Sequence, residues 1–193
     1  PPSEWFLLQD TRSRAVWPLT PSMGVDPALT YRVVHGQGFT RIEHRRGELE
    51  VKATWCVDAQ TSVKQVQIAL VNHGAKTLGL RLIGIAEWMM GANRSDRASV
   101  RTAMARQGGL VTLLATQRER SAGFGGGTAF FGMADAGGQE DDWTCDRREC
   151  FDARGRLVVP DFFGQASGDG LDPCAALSTH VVLAPGRSDT RSF

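Results

Sequence analysis

LEVKATWCVD, residues 49–58, alternates along its length: Leu49, Val51, Ala53, Trp55 and Val57 are apolar, while Glu50, Lys52, Thr54 and Asp58 are polar. Successive side chains of a strand point to opposite faces, so this period of two describes a strand with one face on a core and one in water. The next segment repeats the pattern, with Val66, Ile68 and Leu70 set against Gln65, Gln67 and Ala69. Farther on, Leu78, Leu80, Leu82, Ala86 and Trp88 share a parity while Ile83 and Ile85 make the other face apolar too, which predicts a central strand. Shorter strands are expected at Trp5–Gln9, Ala15–Trp17, Tyr31–His35, Phe39–Arg45, Val100–Ala105, Leu110–Thr116, Thr128–Ala134 and Thr179–Leu183.

The connections carry turn chemistry. Gly36-Gln37-Gly38, Arg46-Gly47, Asn72-His73-Gly74, Gly108-Gly109, Gly125-Gly126-Gly127 and Gly137-Gly138 each separate two such runs. Long strands joined by short turns form an antiparallel meander rather than βαβ units. No amphipathic helix longer than two turns is legible, and Arg94–Met104 is expected to hold one short helical turn. The glycine-, aspartate- and arginine-rich stretch Ala136–Gly170 reads as an ordered excursion with little regular structure. The fold class is therefore all-β, a large antiparallel β-sandwich, with residues 1–193 as a single domain. Because the chain opens on Pro1 and reads as a strand almost at once, it is expected to be a fragment of a longer protein.

Composition narrows the function. Twenty-two basic and 21 acidic residues are interspersed for a net charge of +1, so neither nucleic acid nor an anionic membrane is an expected partner. No apolar run approaches the ~20 residues of a spanning helix. Cys56, Cys145, Cys150 and Cys174 form no Cys-x-x-Cys pair and have no histidine at zinc-ligand spacing. They read as reduced structural residues in a cytoplasmic setting, Cys56 in particular as buried in its strand, and neither metal nor cofactor is expected.

The candidate sites are few. The glycines at 36–38 and 123–127 are followed by strands rather than by a helix N-terminus, so they are turns and not phosphate loops. Asp141 and Asp142 sit among polar residues and read as a solvated loop. Glu87 beside Trp88, at the end of a long strand, is a candidate sugar contact: the indole stacks on a ring and the carboxylate takes hydroxyls. Of four histidines, His35 stands before a Gly-x-Gly turn and is the one of interest; its plain reading is a hydrogen bond across that turn. No Ser-His-Asp or Cys-His set can be assembled. In GLDPCAAL, residues 170–177, Asp172 is held extended by Pro173 and is placed to accept from nearby amides, while Cys174 and two alanines suit a tight approach of chain segments.

The same C-terminal stretch, GLDPCAALSTHVVLAPG (170–186), resembles the end of the β-sandwich domain of the cellobiose and chitobiose phosphorylases and cyclic β-1,2-glucan synthases. Further pieces resemble the family in order: LLQDTRSRAVWPLTP (7–21), YRVVHGQGFTRIEHRRGELEV (31–51), VKQVQIALVNHGAKTLGLRLIGIAEWMMGANR (63–94), GGLVTLLATQ (108–117), AFFGMAD (129–135) and WTCDRREC (143–150). Trp-Pro-Leu-Thr-Pro (17–21) replaces the family's Trp-Ser-Pro-Thr-Pro, Phe39 stands where tyrosine is common, and Cys150-Phe151 departs from its Phe-Leu-Gly-Arg. The cyclic glucan synthase pattern fits best, through Leu-Asp-Pro-Cys-Ala-Ala-Leu.

The resemblance implies a super-sandwich, galactose-mutarotase-like fold that accompanies an (α/α)₆ barrel. The family's catalytic residues lie in that barrel, so none is carried over to this chain. It further implies a non-catalytic role: supporting the barrel, shaping its β-glucan site and helping a homodimer form, in a parent anchored in the inner membrane by segments outside this chain. Glu87, Trp88 and Arg94 resemble a family element, Glu-Trp-x-x-Gly-x-x-Arg, and with His35 are the expected carbohydrate contacts. An autonomous carbohydrate-binding module is the rival reading; it needs a row of exposed aromatic rings. A self-contained hydrolase would need an acid–base pair, and none is legible.

Overall fold

The computed structural model describes residues 3–21, 29–108, 110–134 and 142–193. Among the described residues thirteen strands fall into three antiparallel sheets. They are β1 (Glu4–Asp10), β2 (Val16–Pro18), β3 (Arg32–Gly36), β4 (Phe39–Arg46), β5 (Leu49–Val57), β6 (Lys64–Asn72), β7 (Leu78–Glu87), β8 (Val100–Gln107), β9 (Leu110–Gln117), β10 (Thr128–Gly132), β11 (Asp142–Asp146), β12 (Pro173–Leu183) and β13 (Ser188–Ser192). The sheet orders are β11-β12-β7-β1-β2, β10-β9-β8 and β13-β6-β5-β4-β3. β7 is central, as its doubly apolar pattern predicts. Two compact units are formed, a first from the described residues of 1–5 and 83–179, and a second from 6–82 and 180–193.

The second unit is built on the meander. Ile42 pairs with Ala53 and Ala53 with Ile68, and Val51 pairs with Leu70, so one parity of β5 and β6 is buried in register. The opposite face is charged: Glu43 lies 2.8 Å from Arg41, 3.5 Å from Arg32 and 3.8 Å from Lys52. Gly47 turns β4 into β5 at φ +56°, a region that costs other residues a steric penalty. Asn72 is fully buried and joins distant segments. Its Nδ2 donates to the carbonyls of Lys76 (2.8 Å) and Leu183 (2.9 Å), and its Oδ1 accepts from the Gly74 amide (2.9 Å). Phe6 packs against Trp55 and Phe193.

The first unit carries the β8–β9–β10 sheet, β11 and the 3₁₀ turns Arg94–Ser99 and Arg147–Glu149. Its core gathers Ile83, Ile85, Val111, Leu113, Trp143 and the small residues Cys174–Ala176, with Trp5 against Phe151 at 4.9 Å.

Several expectations need correction. Cys56 is half-exposed rather than buried, because it has the parity opposite to Val51 and Ala53; its Sγ faces Gln65. Trp55 is half-buried and Val57 is 64% exposed, so β5 outruns its core. The last long strand starts at Pro173, not Thr179, since Cys174–Leu177 are covered on both faces and show no alternation. The excursion 136–170 contains β11, and Asp142 is a half-buried acceptor from the Phe163 amide (2.7 Å) and Ser178 Oγ (2.9 Å), not a solvated loop residue. Asp141, Gly109 and Gly137-Gly138 lie outside the described residues.

Two outcomes follow from burial. Cys145, Cys150 and Cys174 are fully buried, and burial pushes the Cys145 thiol up to about 11. In the folded chain a thiol reagent at neutral pH should therefore label Cys56 alone, with Cys56→Ser abolishing the signal by mass spectrometry and the other three reacting only in denaturant. His44 is buried against Tyr31, and burial, aided by the Arg46 charge, lowers it from 6.5 to about 4. The unfolded chain binds this proton first, so the contribution is complete above pH 6.5 and is lost as pH falls toward 4. The unfolding free energy from urea titrations should drop across that window by up to about 3 kcal/mol. His44→Phe should flatten the dependence.

Candidate functional site

Three charged side chains from three other segments of the first unit meet around Glu87, the last residue of β7. Arg97, on the 3₁₀ turn, donates from Nη1 to Glu87 Oε2 (3.1 Å), and from Nη2 to Asp172 Oδ1 (2.5 Å) and the Pro173 carbonyl (3.0 Å). Arg147 donates from Nε to Glu87 Oε1 (2.5 Å), and its Nη1 lies 3.8 Å from Asp172 Oδ2. The Arg147 guanidinium also sits 4.2 Å above the Phe151 ring. Arg97 is only 7% exposed. A guanidinium so far from water is tolerable only when carboxylates and carbonyls surround it. Two acids against two bases leave the cluster neutral.

This cluster anchors the loop that follows β7. Trp88 is half-buried, with its indole nitrogen enclosed and without a hydrogen bond, and its amide donates to the Pro173 carbonyl (3.3 Å). Met90 is held at φ 42°, an uncommon conformation for a side chain with a Cβ. Gln117, fully buried at the end of β9, secures the loop. Its Nε2 donates to the carbonyls of Met90 and Asp96 (both 3.0 Å), and its Oε1 accepts from Ser99 Oγ (2.7 Å) and the Glu119 amide (2.9 Å).

Beside the cluster is a polar cleft of about 400 Å³, lined by Arg94, Arg97, Arg148, Leu171, Asp172 and Pro173. Arg148 grips Asp146 from both Nε and Nη2 (2.6–2.9 Å). Burial works to raise the Asp146 carboxyl, and the Arg148 side chain and amide outweigh it, so the group stays below the usual carboxylate range. Arg94, exposed on the rim, makes no ion pair among the described residues. The cleft thus offers unspent guanidinium donors over a rigid floor, an arrangement suited to hydroxyl or other oxygen acceptors.

Of the sequence-expected contacts, Glu87 lies in the cluster with both oxygens committed, Trp88 follows it directly, and Arg94 borders the cleft. His35 belongs to the second unit, exposed on β3, with Nδ1 3.1 Å from Thr40 Oγ1 across the hairpin. Asp172 takes guanidinium groups rather than amides, a correction to its reading as a simple corner. Arg97, Arg147 and Gln117 were not legible: the two arginines sit in polar stretches, Gln117 simply ends a strand, and the partners that hold them include residues 60 and 76 positions away for the arginines and 21 and 27 for Gln117. Among the described residues no group of three or more His, Cys, Asp and Glu is arranged to hold a metal ion.

This fold and sequence have relatives. Residues 1–193 match the family model described as "Glycosyl hydrolase 94, supersandwich domain", and the chain belongs to that family. It is 30% identical over 194 residues to the cyclic beta-(1,2)-glucan synthase NdvB of Rhizobium meliloti (strain 1021), an alignment covering 96% of this chain and 7% of that protein's length. A solved polysaccharide lyase shares the fold, with a TM-score of 0.50 at 11% identity over 98% of this chain and 24% of its own.

Glu87 rather than Asp172 should be the keystone. Glu87→Ala strands two guanidinium groups and should cost about 3–5 kcal/mol. Asp172, more than a third exposed at its side chain, should cost about 1–3 kcal/mol as Asp172→Ala. Urea denaturation with the reverse ranking would remove Glu87 from the centre.

Proposed function

We propose that residues 1–193 form one non-catalytic domain of a longer carbohydrate-active enzyme, a cyclic β-1,2-glucan synthase or glycoside phosphorylase, in which they support the (α/α)₆ barrel and shape its β-glucan site. The observation that carries this reading is the division of labour around β7. The Glu87 carboxylate is clamped between two guanidinium groups, which suits a scaffold rather than a proton donor, while Arg94, at the start of the 3₁₀ turn that Gln117 secures, makes no ion pair among the described residues. Family membership and the similarity to a glucan synthase support it. Within this proposal Arg94 contacts sugar oxygens, Glu87 and Trp88 set the loop, and His35 is a peripheral contact at most. The parent works at the cytoplasmic face, anchored in the inner membrane by other segments, and the domain helps a homodimer form. Among the described residues no helix is long and apolar enough to cross a membrane.

The rival autonomous module needs exposed rings in a row. Trp5, Trp17 and Trp143 are buried, and Trp55 and Trp88 are half-buried, which weighs against it.

In the intact enzyme, Arg94→Ala should raise KM for the glucan about tenfold and leave kcat within about twofold, the signature of lost uniform binding. The melting temperature should not change. A collapse of kcat at constant KM would place chemistry in this domain, and no change in either would remove the loop from the sugar path.

A further inference from the structure

The second unit has a cleft of its own, about 170 Å³, among the end of β1, β2, the β4–β5 turn and the start of β7. Its floor is Leu49, Leu78 and Leu80, and its polar wall is Asp10, Ser13, Arg46 and Glu48. Trp17, buried in the wall, fixes Arg46 by lying 4.3 Å beneath its guanidinium carbon. No carbonyl, carboxylate or hydroxyl of the described residues accepts a hydrogen bond from Arg46, so the N–H groups of a half-buried guanidinium remain unspent. Asp10 is a ready acceptor. Its Oδ1 takes the amides of Arg12 and Ser13 and the Ser13 hydroxyl, and these bonds, led by the Ser13 amide, hold its carboxyl below the ordinary range. Among the described residues its Oδ2 accepts no hydrogen bond. Glu48 stands exposed on the rim, loosely paired with Arg45 at 3.4 Å.

Three properties of this cleft select a ligand class. The volume is that of a cavity taking one six-membered ring. The leucine floor asks for an apolar ring face. The wall presents fixed donors beside fixed acceptors, which a hydroxyl, being both, satisfies on either side. Charge discriminates further: two carboxylates against one guanidinium disfavour an anionic ring, and a neutral hydroxylated ring can use the Arg46 donors as well as the acids. The geometry points to a binding site for one neutral polyhydroxylated ring, a saccharide unit or a cyclitol, held by Arg46 and Asp10 over the leucine floor.

The test uses the folded chain labelled with ¹⁵N, following the indole resonance of Trp17 during titration with glucose, myo-inositol, cellobiose and, as an anionic ring, benzoate. Glucose or myo-inositol should give a saturable shift with a millimolar dissociation constant, the range set by so few atoms. Cellobiose binding as well marks a chain end as an acceptable source of the ring; its failure while glucose binds restricts the site to free rings. Arg46→Met, which keeps the stem over Trp17 and removes the donors, should weaken binding about tenfold. If that variant does not fold, Glu48→Gln on the exposed rim should weaken binding about threefold. No saturable shift with any polyol, benzoate binding in their place, or undiminished affinity in the folded variant would overturn the proposal.

Discussion

A carboxylate held between two guanidinium groups organises the first unit. Glu87 ends the central strand, and its two oxygens reach Arg97 and Arg147, on 3₁₀ turns far apart in the chain. Asp172, just before β12, closes the cluster. Removing these charges from water is expensive, and the arrangement holds because every member has an opposite partner at short range. Its neighbours inherit the order. The loop after Glu87 is pinned at one end by this cluster and at the other by Gln117, so Met90 can be kept in a conformation it would not otherwise favour. Gly91 is required within it, because a Cβ there would meet the Asp96 side chain at 2.4 Å.

How much of this was legible depended on how many faces of a strand are covered. β5 and β6 bury one parity and leave the other half-buried or exposed, so their alternation gave the strands and the face each turns to the core. Cys174–Leu177 are buried on both sides, and their small side chains resemble a corner until the neighbouring strands are in place. The alternation also says where a strand faces but not where the core stops, which is why Val57 and Cys56 were read as more enclosed than they are. Polar burial was the least legible feature. Arg97 in Arg94-Ser95-Asp96-Arg97 looks solvated, and it is Glu87 and Asp172, supplied by the fold, that let it be buried.

Family likeness reached some of what patterning could not. It drew Glu87, Trp88 and Arg94 together as one element, and in the structure they run from the end of β7, through the loop after it, to the first residue of the 3₁₀ turn. It also marked Cys150-Phe151 as a departure from the family pattern. In the fold that departure has a physical content: Cys150 is fully buried, and Phe151 packs on Trp5 while supporting the Arg147 guanidinium from below. An aromatic ring here does two tasks, filling the core and steadying one arm of the charge cluster.

The two units are not consecutive in the chain. The second takes residues 6–82 and then waits for 180–193, with β13 pairing to β6 and the Leu183 carbonyl to Asn72, 111 residues away. On a ribosome, the meander β3–β6 emerges early with local hairpin contacts and can pair at once. Its outer strand β6 then keeps an open edge through the synthesis of the entire intervening unit. Such an edge accepts any extended segment that reaches it, so the interval before β13 arrives is when this chain is most exposed to mispairing and association with other copies. The high sequence separation of the closing contacts makes that final step slow as well as late.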